Sequence, residues 1–387
     1  MTSFIAILGR QPAIGVAELE SVFGAENIKP LKPGYVLVNN SRILDKANYL
    51  GGTIKIVKTI QEIPTTNWYE IEKSLSNFLQ KTILNFEGSK LTIGLSAYGF
   101  NLSPAKINAS ALSLKKIIKR SGLSARIVPN KQAELNAAQI LNNKLLTKSG
   151  CEFVAIRIGN KTFLAQTAFV QDIDAYSARD RNRPARDARV GMLPPKLAQI
   201  IINLAVGDKT HQTILDPFCG TGVVLQEASL MKNNVYGTDL EPRMIDYSRT
   251  NLTWLKVDQA TFKLSTGDAT NFKWEKPFSA IAGETYLGRP LSSLPDKLTL
   301  DKIISDCDVI HKKFLKNLAT QTPKDFRLCI AVPAWKMKNG FLHLPTLDNL
   351  RVLGYNRISF VHADAKNLIY HRENQYVGRE LVVLQRI

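Results

Sequence analysis

The sequence predicts an α/β protein, with a mostly parallel, doubly wound sheet in its C-terminal half and two smaller α+β units before it. Three observations lead there. From Thr213 onward candidate strands alternate with helical stretches, the pattern of a parallel sheet covered on both faces. Before residue 171 the strands come in short, irregularly connected runs, one pair facing across a Gly159-Asn160 turn. Between these regions, residues 172–192 are dense in arginine and short of large apolar side chains, the composition of a linker or arm. At 387 residues and 44% hydrophobic content, the chain has room for two or three domains with real cores.

Taken in order, a strand at FIAIL, a helix from Ile14 to Phe23, a strand at YVLV, a helix from Arg42 to Leu50 and a strand at TIKIVKTI make a first unit, residues 1–64. A second unit, residues 65–171, opens with a helix whose Ile71, Leu75, Phe78 and Leu79 fall at helical spacing. It continues with a strand (KLTIGLSA), a helix from Pro104 to Lys119, a short strand (SARIV), a helix over AELNAAQILNNKLL, and the hairpin CEFVAIRI and TFLAQTAFV. Residues 193–387 then run TILDPF, helix, NVYGTDL, helix, TFKLSTGD, FSAIAGE, helix, FRLCIAVP, helix, and a closing pair NRISFVH and ELVVLQRI.

Charge narrows the class of partner. Lys and Arg number 51 against 33 Asp and Glu, a net +18. A surplus of that size on a folded chain favours a polyanion, through phosphate neutralisation and counterion release. From Gly88 to Ala133 there is no acid, while Lys115, Lys116, Lys119 and Arg120 cluster on one predicted helix. A solvated helix mixes signs, so this run reads as a phosphate-binding face, with Leu112, Leu114, Ile117 and Ile118 turned to the core. The start carries no basic leader and no stretch approaches the length of a membrane span, so a cytoplasmic protein without membrane attachment is expected. Four scattered cysteines make no disulfide scaffold, and five histidines show no metal-ligand spacing, so no metal is expected.

The sharpest motif is Asp216-Pro217-Phe218-Cys219-Gly220-Thr221-Gly222, where a strand ends and a helix opens. Ligands of such sheets bind outside the carboxyl ends of the strands, and glycines there let a ligand lie against bare backbone. A dinucleotide fingerprint would need a third glycine where Leu225 stands, and no Gly-Lys-Ser/Thr follows for a phosphate loop. An acid at this strand end suits a ligand with positive charge and an amino group, as S-adenosylmethionine has. Asp239, ending the next strand, is placed for ribose hydroxyls, and Asp268, ending the third, for an adenine amino group. One strand-end Asp is ordinarily a cap; three on consecutive strands point to a nucleoside ligand.

These stretches, together with DAYSARDRNRPARDARVGMLPPKLAQIIINLA and the terminal NQYVGREL, resemble the THUMP-domain tRNA guanine-N2-methyltransferases that modify the guanosine at position 10. The resemblance implies a Rossmann-like class I methyltransferase with a mostly parallel seven-stranded sheet, preceded by a ferredoxin-like and a THUMP domain. It implies S-adenosyl-L-methionine as cofactor, tRNA as partner and a monomer, and it leaves open a small activator protein. Residue by residue, Asp216, Phe218, Gly220 and Gly222 fall on the methionine-side loop, Asp239 and Leu240 on the ribose side, and Asp268 and Ala269 on the adenine side. Pro195 falls in the element that packs over the cofactor, and Arg179, Arg181 and Arg183 are candidates for RNA phosphate.

The reaction motif departs from the family pattern. After the fourth strand such enzymes carry Asp/Asn-Pro-Pro-Tyr/Phe or a Glu-Pro-Tyr variant; here the run is Gly283-Glu284-Thr285-Tyr286-Leu287-Gly288. Tyr286 keeps the aromatic and Glu284 supplies an acid one residue off, so these two are the catalytic candidates. No cysteine follows this strand or the next, which excludes a 5-methylcytosine mechanism. Two rivals stand beside tRNA guanine-N2 methylation: a non-catalytic tRNA-binding protein with a degenerate motif, and a same-fold enzyme acting on another RNA base.

Overall fold

A computed structural model describes residues 3–83, 88–187, 192–275, 277–291 and 293–387. The chain divides into two compact units. The first gathers residues 1–10, 27–48 and 53–175, and the second residues 11–26, 49–52 and 176–387.

The N-terminal unit is one eight-stranded sheet. Its strands are β1 (Phe4–Leu8), β2 (Ile28–Lys32), β3 (Tyr35–Val38), β4 (Thr53–Ile63), β5 (Lys90–Tyr98), β6 (Ser124–Ile127), β7 (Gly150–Ile158) and β8 (Lys161–Val170), in the order β2-β3-β1-β4-β8-β7-β5-β6. The expected boundary at residue 64 falls at the end of β4, which pairs antiparallel with β1 on one side and β8 on the other. The helix after β1, α1 (Pro12–Phe23), clusters with the other unit. β2 was not visible in the sequence, because Pro30 argues against a strand; it lies at the sheet edge, where the missing N–H costs nothing.

Two predicted helices shorten. The one from Arg42 to Leu50 is α2 (Ile43–Lys46) followed by a 3₁₀ turn. After α3 (Trp68–Ile83) and α4 (Pro104–Arg120), the long helix expected over 133–146 contracts to α5 (Ala137–Asn142). A capping box between Asn136 and Gln139 fixes its start, and Lys144 at φ 55° cannot continue it. On α4 the buried stripe is Ile107, Ala111, Leu114 and Ile118, while Leu112 is exposed, not turned inward as the sequence suggested. Lys116, Lys119 and Arg120 face solvent and Lys115 is half-buried. Inside the sheet, Lys55 and Glu152 form a buried ion pair at 3.0 Å, and Glu152 also accepts the Ser96 hydroxyl. Lys55 Nζ and Ser96 further reach the Leu135 backbone, so this cluster fastens the 128–136 loop to the sheet.

The arm expected at 172–192 is not an unstructured linker. It begins with α6 (Ile173–Arg181), on which Tyr176 is buried and donates to Gln199 at 2.6 Å. Residues 188–191 lie outside the described residues. The second unit continues with α7 (Pro195–Val206), β9 (Thr213–Asp216), α8 (Val223–Leu230), β10 (Asn234–Asp239), α9 (Pro242–Trp254), β11 (Phe262–Thr266), β12 (Ala280–Glu284) and α10 (Lys297–Ala319). It closes with β13 (Arg327–Met337), β14 (Gly340–Leu342), β15 (Tyr355–Arg357), β16 (Ile369–Tyr370) and β17 (Val377–Arg386). Seven strands follow the order β11-β10-β9-β12-β13-β17-β15, parallel up to β13 and antiparallel at β17, with β14 and β16 as short side pairs. This is the doubly wound sheet the alternation predicted. The helix expected after FRLCIAVP is absent because β13 runs on to Met337, paired with β17 as far as Trp335, and turns into β14 before a 3₁₀ stretch. Around Phe314, Trp335, Tyr355 and Leu328 a large apolar core fills one face of the sheet. Among the described residues no helix is long and apolar enough to cross a membrane, and no group of His, Cys, Asp and Glu could hold a metal ion.

Candidate active site

A cavity of about 910 Å³ opens over the carboxyl ends of β9, β10 and β12 in the second unit. Parallel strands all end on this rim, so the residues closing β9, β10 and β12 and the turn after β11 converge there although the sequence scatters them.

The loop after β9 is shaped by its glycines. Gly220 (φ 49°) and Gly222 (φ 79°) take left-handed conformations that a side chain resists, and a Cβ at Gly222 would meet Ser248 Oγ at 2.8 Å. A Cβ at Gly220 would stand in open space, so that backbone is bare to the cavity. Asp239 ties the loop down: its Oδ2 accepts from Gly220 N–H at 2.9 Å and its Oδ1 from Glu241 N–H at 3.0 Å. Each oxygen keeps a second lone pair for a ligand hydroxyl. Asp268 accepts from Thr270 N–H at 2.9 Å and, with Ala269, lines the same cavity. Phe218 lies edge-on to Phe314 at 5.1 Å between ring centres, and Leu240 lines the mouth, 64% exposed. Cys219 is buried, and burial holds its thiol well above the ordinary range, so it is structural.

Asp216 is 2% exposed, with the Phe218 N–H on Oδ1 at 3.2 Å. Burial, joined by the charges of Asp239 and Glu284, holds its carboxyl well above the usual range. Burial raises Asp239 and Glu284 as well. Such a floor of poorly compensated acids fits a cationic ligand, and the bare Gly220 backbone leaves that ligand room. The residues present therefore fit S-adenosylmethionine, a cationic ligand with hydroxyl and amino groups.

On the other side of the cavity, Gly283 packs against Asp216: a Cβ on Gly283 would lie 2.4 Å from Asp216 Oδ1, so a side chain there requires the Asp216 carboxylate to shift. The acid stands one residue on. Glu284 makes an ion pair with Arg379 of β17, whose side chain is 4% exposed. Tyr286, 41% exposed, lines the cavity beyond it, facing a wall that includes Lys313 and the 374–377 segment. The sequence reading missed Arg379 as a site residue, although it lies in the terminal NQYVGREL stretch; nothing local links it to Glu284, 95 residues away.

Three expected site residues change role. Pro195 is buried at the first turn of α7 and does not line the cavity; Met192, Leu193 and Asp187 of the preceding arm do. Arg179 is no phosphate ligand: Glu227, itself 1% exposed, accepts its Nε at 2.7 Å. Arg183 is 2% exposed, too buried for a phosphate contact, whereas Arg181 faces solvent. The arm is held over the cofactor loop by Asn251, which bonds Ala185 in both directions and donates to Thr221 O at 2.9 Å.

A family model described as an RMKL-like methyltransferase domain matches residues 183–343, and one described as a DNA methylase matches residues 39–250, more than half of the chain. A tRNA (guanine(10)-N2)-dimethyltransferase of Methanothermobacter thermautotrophicus is 31% identical over 143 residues, 37% of this chain and 39% of that protein. The match thus spans about two fifths of the relative's length. Among solved structures, TrmN from Thermus thermophilus superposes with a TM-score of 0.52 over 100% of both chains at 13% identity. SMU.472 complexed with SAH gives 0.52 over 100% of this chain and 97% of its own, at 12% identity. The chain belongs to the class I S-adenosylmethionine-dependent methyltransferases. The model that spans more than half of the chain is the one described as a DNA methylase, and the likeness to the tRNA (guanine(10)-N2)-dimethyltransferase is confined to about two fifths of each chain.

Proposed function

We propose that this protein methylates RNA, with the exocyclic N2 of a guanine in tRNA as its target and position 10 favoured. The observation that carries the proposal is one cavity holding Asp216, Asp239 and Asp268 on one side and Glu284 and Tyr286 on the other. When bound, the cofactor supplies a methyl group on a sulfonium already activated by its charge. What remains for the protein is positioning. A guanine amine is a weak nucleophile because its lone pair delocalises into the ring, so it needs an acceptor for its N–H and a fixed direction. Glu284, oriented by Arg379, offers that acceptor at the end of β12. A target base must leave its stack, and Tyr286 offers a flat partner at the cavity mouth.

The N-terminal unit takes the RNA-gripping role in this reading, residues 65–171 acting as a THUMP domain through the exposed bases of α4. Changing Lys115, Lys116, Lys119 and Arg120 to Glu is expected to weaken tRNA binding and flatten its salt dependence while cofactor affinity stays unchanged. Log-affinity against log-salt plots on a variant with wild-type circular dichroism check this; an unaltered slope returns α4 to an ordinary solvated face.

Methylation of undermodified total tRNA with labelled cofactor, followed by nucleoside analysis, tests the whole reading. Label in N2-methylated guanosine supports it. Label in another nucleoside makes the protein a same-fold enzyme acting on another RNA base. Binding of both cofactor and tRNA without any transfer makes it a non-catalytic tRNA-binding protein.

A further inference from the structure

The reaction loop Gly283–Gly288 is bounded by two glycines, and Gly288 sits at φ 86°. Gly283 and Glu284 are held in β12 by pairing with β13, but Gly288 leaves the far end unrestricted, so the segment needs an anchor if Tyr286 is to hold one direction. The anchor is Thr285. Its side chain is buried (4% exposed) and its N–H donates to Ala331 O of β13 at 3.0 Å. The Thr285 hydroxyl lies 2.7 Å from His311 Nε2 and 3.0 Å from Ala331 O.

His311 stands on α10, 1% exposed, with Nδ1 2.7 Å from Cys307 O one turn earlier. A carbonyl only accepts, so Nδ1 carries the hydrogen and Nε2 carries the lone pair. The Thr285 hydroxyl therefore shares its single hydrogen between two acceptors, His311 Nε2 at 2.7 Å and Ala331 O at 3.0 Å. Burial lowers the imidazole to about 4, so it is neutral and this arrangement persists at physiological pH. His311 has no opening to the cavity, which Thr285 and Tyr286 line in front of it.

We propose that His311 is a positioning residue for the methyl-transfer site: through the Thr285 hydroxyl it fixes the reaction loop to α10 and so sets the direction of Tyr286 and Glu284. This rests on the reading of the cavity as an RNA methylation site. His311 touches neither substrate nor cofactor. Its effect falls on the rate with bound RNA, not on cofactor affinity.

The test is a double-mutant cycle with Thr285→Val, which keeps the shape and removes the hydroxyl, and His311→Leu, which removes the acceptor. Each single variant is expected to slow single-turnover methylation about tenfold, the worth of one buried hydrogen bond. The double variant should be no slower than either single one, and Thr285→Ser, which keeps the hydroxyl, should restore the wild-type rate. Additive losses, or a Thr285→Ser variant as slow as Thr285→Val, overturn the proposal. Hydrogen exchange of the amides of residues 285–288 in cofactor-bound protein provides a readout independent of turnover. Protection should drop in both single variants and persist in Thr285→Ser, with the calorimetric cofactor affinity unchanged. Unaltered protection in the single variants overturns the lock even if methylation proceeds. A wild type that transfers no methyl group to any RNA overturns the functional reading instead, and exchange alone then decides the lock.

Discussion

On the β9–β11 side of the cavity the acids are held by neighbouring backbone: Asp216 by Phe218 N–H, Asp239 by Gly220 and Glu241, Asp268 by Thr270. On the β12 side, Glu284 is held by the side chain of Arg379, 95 residues away, and Thr285 by the Ala331 carbonyl of β13 together with the side chain of His311, 26 residues away. The first kind of site is a property of strand ends and turns, and a ligand is what completes it. The second exists only once β17 and α10 have docked. The difference teaches that the cofactor half should tolerate changes elsewhere in the molecule, while the reaction half should fail when a distant element is disturbed.

Breaking the pair on the reaction side is the largest expected effect. Arg379→Met leaves Glu284 as a buried, unpaired carboxylate, a change that typically costs about 3–5 kcal/mol of stability. Denaturant midpoints measure it; a loss below about 1 kcal/mol would mean the pair is not what holds β12 to β17. On the cofactor side Asp239→Ala removes an acceptor for ribose hydroxyls and is expected to weaken cofactor binding by about 1.5–3 kcal/mol. Titration calorimetry decides, and unchanged affinity would dissolve the contrast by emptying the ribose assignment. Tyr286→Ala should slow single-turnover methylation by about 5- to 150-fold, the kinetic equivalent of about 1–3 kcal/mol of base stacking, with cofactor affinity unmoved. A loss of cofactor affinity instead would join the two halves into one.

The smallest effect is on pH. Burial raises the carboxyls of Asp216 and Asp239, so the empty site holds protons at a pH where free carboxylates have lost theirs. A cationic ligand favours the ionised form, so its binding releases protons and its affinity rises with pH through that range, then levels off. Calorimetry in two buffers of different ionisation enthalpy detects the release. Over that range the gain in affinity should stay below tenfold per pH unit for each proton released, and Asp239→Ala should reduce it. Proton uptake on binding would contradict the raised acids.

Much of this molecule was legible in the sequence where the cause is local. The strict alternation after Thr213 gave the parallel sheet, since strands and helices of that period pack only as a doubly wound layer. The acids at 216, 239 and 268 were visible for the same reason: in a parallel sheet, strand ends share one rim. Arg179 and Pro195 were misplaced because composition cannot tell a guanidinium turned to solvent from one turned to Glu227, nor a cavity-lining proline from one that starts a buried helix.

What the sequence determined by itself was the order of most elements and the class of ligand, both set by short-range pattern. Tertiary structure alone decided what surrounds residues 283–288. Asp216 packs against Gly283, Arg379 arrives on β17 to pair with Glu284, and His311 on α10 supplies the partner for Thr285. These are contacts between side chains far apart in the chain, and van der Waals exclusion and hydrogen bonding act only once folding has brought them within a few ångströms.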